Sequence, residues 1–138
     1  MRPYTKRRSK WVERVMSKYF PDWPEYDEQV PIFDVRGLDE RTIQTVGIAI
    51  FTRMMPRADV IAVRPGELLL VEFDKQMDPL KVSRLLRYRE AVRHDYVRPA
   101  WRKAKIHLAY VTPGYDARIE AECRRHGIKY IVEPEPVV

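Results

Sequence analysis

Trp11, Val15 and Tyr19 recur at helical spacing behind Ser9, a residue suited to cap a helix, so residues 9–19 are predicted to form a short amphipathic helix. Pro21, Asp22 and Pro24 stop it, and residues 30–35 read as a short strand broken by Arg36-Gly37. A second helix is expected over 39–54, where Ile43, Val46, Gly47, Ile50, Phe51 and Met54 keep one face apolar between a capping Asp39 and a terminating Pro56. Two β-rich runs follow, 58–63 and 68–73, joined by Arg64-Pro65-Gly66-Glu67, which is a hairpin signal. Asp78-Pro79 opens a helix reaching about Asp95, with Val82, Leu85, Leu86 and Val92 as its buried stripe. Residues 105–111 form a strand, 116–126 a helix stopped by Gly127, and 128–132 a last strand. A hairpin followed by strand–helix–strand units predicts an α/β fold with a mixed sheet, helices on both faces and a right-handed final crossover.

The hairpin carries the first candidate chemistry. If its turn closes symmetrically, Val63 faces Leu68, Ile61 faces Leu70 and Asp59 faces Glu72. Opposed side chains share a face with Cβ atoms about 4.5–5.5 Å apart, so the two carboxylates repel unless a cation sits between them. Mg²⁺ or Mn²⁺ would compensate, since both prefer carboxylate oxygens. Asp74 follows Glu72 by two residues and shares its side of the strand. A bulge or asymmetric turn would break this register, and Pro-Gly is not the pair favoured for two-residue hairpins. Exposed, idle carboxylates are the bland alternative. Continuous apolar runs around Val60, Ile61, Leu69, Leu70 and Val71 speak against it, because a strand buried on both faces seldom ends in an unpartnered charge.

Length and charge narrow the picture. A chain of 138 residues suits one domain, residues 1–138, with a basic arm at 1–8 and a Pro-rich tail at 133–138. The longest apolar runs are too short to span a bilayer, and no apolar stretch follows the basic N-terminus as a signal peptide would require. Cys123 is the only cysteine, so an intrachain disulfide and a multi-cysteine zinc site are excluded. A cytoplasmic setting, or the interior of a host cell, is the expectation. The net charge of +6 is unevenly spread, with basic blocks at residues 2–18 and 81–105 flanking an acidic stretch. Such blocks suit a polyanionic partner as well as they suit a solvated surface.

The hairpin residues Arg57-Ala58-Asp59-Val60-Ile61 and Leu69-Leu70-Val71-Glu72-Phe73-Asp74-Lys75 resemble the PD-(D/E)XK nuclease superfamily, in its restriction-endonuclease-like and RecB-like forms. Arg84-Leu85-Leu86-Arg87-Tyr88 is similar to the Gln-x-x-x-Tyr element of the RecB-like branch, and residues 109–132 to the closing strand–helix–strand. The chain departs from the pattern at Pro56, three residues before Asp59, at Asp74 in the place of the usual lysine, and at Arg84 in the place of glutamine. The motif is thus a degenerate Glu-x-Asp-Lys. The resemblance implies a restriction-endonuclease-like domain and a metal-dependent nuclease, with DNA as the expected substrate. Asp59, Glu72 and the carbonyl of Phe73 would ligate Mg²⁺ or Mn²⁺, and Asp74, Lys75 or Lys81 would position or activate water. Lys81, Arg84 and Tyr88 share one helix face that would grip phosphate, and Trp101, Arg102, Lys103 and Lys105 would extend the groove. The family's helix acid has candidates in Glu13 and in Glu40 with Gln44.

Other chemistries find little support. His94, His107 and His126 are scattered, Cys123 lies on a helix's apolar stripe, and no P-loop, Gly-x-Gly-x-x-Gly or Ser/His/Asp signature occurs. Two further readings stay open: a nucleic-acid-binding module that has lost cleavage, and an assembly or regulatory subunit engaging a protein partner. The sequence leaves room for a homodimer or larger assembly.

Overall fold

The computed structural model describes residues 9–34, 36, 41 and 55–137. Five strands lie in sequence order across one sheet: β1 (Tyr26–Pro31), β2 (Arg57–Arg64), β3 (Glu67–Phe73), β4 (Lys105–Thr112) and β5 (Lys129–Val132). β1–β2 and β2–β3 are antiparallel, while β3–β4 and β4–β5 are parallel. The helices are α1 (Lys10–Tyr19), α2 (Ser83–Val92, preceded by a 3₁₀ turn over Pro79–Val82), α3 (Pro99–Arg102) and α4 (Ala117–Arg125). None of the described helices is long and apolar enough to cross a membrane.

The two faces of the sheet bury different layers. Trp11, Val12, Val15 and Met16 of α1 cover Val60, Ala62, Leu69, Val71, Ala109 and Val111. Val82, Leu85 and Val92 around α2 and Ile119 and Cys123 of α4 cover Ile61, Leu68, Leu70, Leu108 and Tyr110. Alternate residues of β3 therefore meet opposite layers, and Leu68 through Glu72 are all buried. This is the burial a continuous apolar strand demands.

The hairpin closes symmetrically. Arg64 pairs with Glu67, Val63 with Leu68 and Ile61 with Leu70, around a two-residue Pro65-Gly66 corner. Gly66 has φ +72°, as the second corner of a type II turn requires, and the Arg64–Glu67 ion pair at 2.7 Å clamps the base.

Three boundaries differ from the sequence expectation. β1 begins at Tyr26, not at 30, because an edge strand tolerates the charged Asp27 and Glu28 that disguise it. The helix expected to run to Asp95 starts as a 3₁₀ turn and ends at Val92. The short α3, with Pro99 in its first turn, was not signalled by any apolar period. The helix expected over 39–54, with Glu40 and Gln44, lies outside the described residues except at Arg41, and so does the arm at 1–8.

Candidate metal and nucleic-acid site

Asp59 and Glu72 meet at the open end of the hairpin ladder. There each carboxylate takes a backbone N–H of the other strand: Asp59 N donates to Glu72 Oε1 at 3.0 Å, and Phe73 N donates to Asp59 Oδ2 at 2.8 Å. Gln29, on β1, donates from Nε2 to Asp59 Oδ1 at 3.1 Å. Glu72 is buried, and its pKa is pushed up to about 9, first by burial and then by the Asp59 charge beside it. The protein's own countercharge is weak here: the Arg84 guanidinium pulls in the opposite direction but does not restore the ordinary value.

Arg84 and Tyr88 face the pair from α2. Burial raises the Tyr88 pKa first, and Glu72's charge next. The predicted basic and aromatic helix face thus borders the two carboxylates. Lys81, one turn earlier, leans elsewhere: its ammonium hydrogen-bonds Gln76 Oε1 and lies 3.8 Å from Asp74 Oδ1.

Asp74 points to the face of Glu72, as strand alternation requires, yet its oxygens are already engaged. Oδ1 accepts from Gln76 N at 3.0 Å and Met77 N at 3.1 Å, and Oδ2 from Asp78 N at 2.8 Å and Tyr110 Oη at 2.6 Å. It therefore anchors the loop that leads into α2. Among the described residues, no three of His, Cys, Asp and Glu gather as a metal-binding group, so Asp74 does not join the pair as a third ligand.

Three other expectations are corrected by position. Lys75 extends to the opposite side, where its ammonium pairs with Glu135 at 3.3 Å in the tail that α1 holds through Trp11 Nε1 and Glu133 O. Arg102 and Lys103 precede Lys105, which pairs with Glu67, whereas Glu72 pairs with Tyr110. Five residues of strand, about 16 Å, separate those ends, so these cations do not extend the groove at the pair. Glu13 is exposed on α1, the helix covering the far face. Gln29 gave no sign in the sequence; only the β1–β2 register brings it to Asp59.

The donor set fits Mg²⁺ or Mn²⁺. Mg²⁺ is commonly held by one or two carboxylates, with water and substrate phosphate completing its shell. Two juxtaposed acids whose repulsion keeps one protonated are the site such an ion would relieve. In metal-free protein, Glu72's raised folded pKa contributes stability that is full below its ordinary 4.5 and is lost as pH rises toward about 9. Glu72→Gln removes that loss. Melting curves in EDTA should therefore separate in the variant's favour between pH 5 and 8, by on the order of a few kcal/mol. Parallel curves would mean that Glu72 is ionised in the metal-free fold.

A mixed five-stranded sheet with helices on both faces and an acidic hairpin is the restriction-endonuclease-like, PD-(D/E)XK fold. Solved structures share it. A repair endonuclease from Pyrococcus abyssi superposes with a TM-score of 0.52 at 14% identity over 99% of this chain and 50% of its own. The EndoMS–dsDNA2 complex gives 0.50 at 14% identity, again over 99% of this chain and 50% of that one. The chain thus spans about half the length of the structures it matches. No protein-family model and no curated protein matches its sequence.

Proposed function

We propose that this chain is a metal-dependent nuclease domain that hydrolyses phosphodiester bonds in DNA. The buried Asp59–Glu72 pair beside the Arg84–Tyr88 face carries the reading, and the fold shared with a repair endonuclease and a DNA-bound EndoMS supports it. Asp59, Glu72 and the Phe73 carbonyl hold Mg²⁺ or Mn²⁺, which when bound supplies the positive charge that polarises the scissile phosphate. Arg84 donates to non-bridging phosphate oxygens, and Tyr88 closes the apolar side of the same groove. Lys81 is the lysine on this side of the sheet, and from its place beside Asp74 it holds the attacking water through its ammonium. Asp74 keeps the loop, and with it Lys81, in place.

The test is incubation with duplex DNA, single-stranded DNA and RNA in Mg²⁺ or Mn²⁺, with EDTA as control. Metal-dependent strand cutting of DNA is expected; intact substrates under every condition would sink the nuclease reading. One observation favours a second reading, a binding module without cleavage: Lys75 is turned away to Glu135 and no lysine follows Glu72 at the usual position. Salt-sensitive DNA binding with no cutting would select it.

Both readings make the α2 face a phosphate grip. Lys81→Ala with Arg84→Ala should weaken DNA binding and lower the slope of log K against log salt by roughly two, about one per lost phosphate contact. Anisotropy titrations across a salt series measure it, and an unchanged slope would remove this helix from the interface.

A further inference from the structure

We propose that Gln29 is the positioning residue of the acidic pair, its side-chain amide holding the Asp59 carboxylate in the orientation that a divalent cation needs. The inference rests on the metal-binding reading of Asp59 and Glu72.

The backbone gives the first indication. Gln29 has φ +52°, a left-handed conformation that costs a residue other than glycine roughly 1–3 kcal/mol. Its neighbours are regular: Glu28 pairs with Val60 and Val30 with Ala58. The distortion is therefore confined to the residue standing opposite Asp59. Arg57 fixes it there by donating from its guanidinium to Gln29 O at 3.1 Å. An exposed edge position with no further task would be served equally well by glycine, which adopts this conformation without strain.

The side chain gives the second. With Nε2 of Gln29 on Oδ1 and the backbone N–H of Phe73 on Oδ2, each oxygen of Asp59 accepts one neutral donor. Each keeps a further acceptor site for a cation. An arginine or lysine at position 29 would orient the carboxylate too, but would cancel the charge that attracts the ion. A neutral amide orients without discharging. Outer hydrogen bonds of this kind typically change metal affinity 10- to 100-fold when removed.

Two variants separate donor from backbone. Gln29→Met keeps the bulk and loses the donor; Gln29→Gly loses the donor and relieves the backbone. Calorimetric Mn²⁺ titration should show both binding roughly 10- to 100-fold more weakly than wild type. In EDTA, Gln29→Gly should melt at or above the wild-type temperature. Unchanged Mn²⁺ affinity in Gln29→Met would overturn the proposal. A clearly lower EDTA melting temperature for Gln29→Gly would overturn it as well, making Gln29 a structural residue of the edge strand. A wild type that takes up no Mn²⁺ would instead bring down the reading of the pair, and this inference with it.

Discussion

Asp59→Asn and Glu72→Gln are each expected to reduce metal-dependent cleavage by at least about 100-fold, the equivalent of roughly 3 kcal/mol in the barrier. Neither change should unfold the protein. In Glu72→Gln the amide oxygen still accepts from Asp59 N, and in Asp59→Asn the side-chain oxygen still accepts from Phe73 N. Each substitution also removes one member of a like-charge pair whose repulsion holds Glu72 partly protonated. Loss of cutting with an unchanged or raised melting temperature in EDTA is therefore the expected signature. It distinguishes a functional pair from a structural one, because a structural pair would lose stability together with activity. Variants that cut at the wild-type rate would remove Asp59 and Glu72 from the site.

The hairpin was legible because each signal agreed with the others. Pro65-Gly66 marked the corner, β-branched and aliphatic runs marked the arms, and the symmetric register followed from a two-residue loop. Where local signals conflicted, the sequence misled. Tyr26, Asp27, Glu28 and Gln29 look like loop, yet they pair with β2 because an edge strand needs only one apolar side. Gln29's place beside Asp59 depends on a partner 30 residues away, which no local pattern encodes. The placement of Arg102 and Lys103 was legible in principle. A parallel crossover returns the chain to the end where the preceding strand began, so residues just ahead of β4 belong beside Glu67 and away from Glu72. Proximity in sequence to the basic face of α2 hid that rule. Lys75 followed alternation to the far face, and Asp74 followed it to the near one; only the closing of the loop onto Asp74 was invisible.

That loop supports the remaining large effect. Asp74→Ala is expected to destabilise the fold by about 3–5 kcal/mol and to lower the melting temperature by roughly 10 °C. The carboxylate is almost fully buried and accepts from three successive backbone amides, those of Gln76, Met77 and Asp78, and from the hydroxyl of Tyr110. Hydrogen bonds to a charged acceptor contribute about 1.5–3 kcal/mol each, though bonds sharing one carboxylate do not add in full. Removing the acceptor leaves the Tyr110 hydroxyl, on a side chain only 1% exposed, without the partner it has here, and the three amides lose theirs. Met77 sits at φ +54°, a conformation the loop sustains while its amide is held, so the loop should loosen as a unit. The loop leads into the 3₁₀ turn that carries Lys81, and part of the activity should fall with it. Asp74→Asn keeps an acceptor of the same shape and should recover about half of the lost stability. Cleavage assayed well below the melting temperature separates this structural role from a catalytic one. An Asp74→Ala protein that melts like wild type but no longer cuts would return Asp74 to the catalytic site.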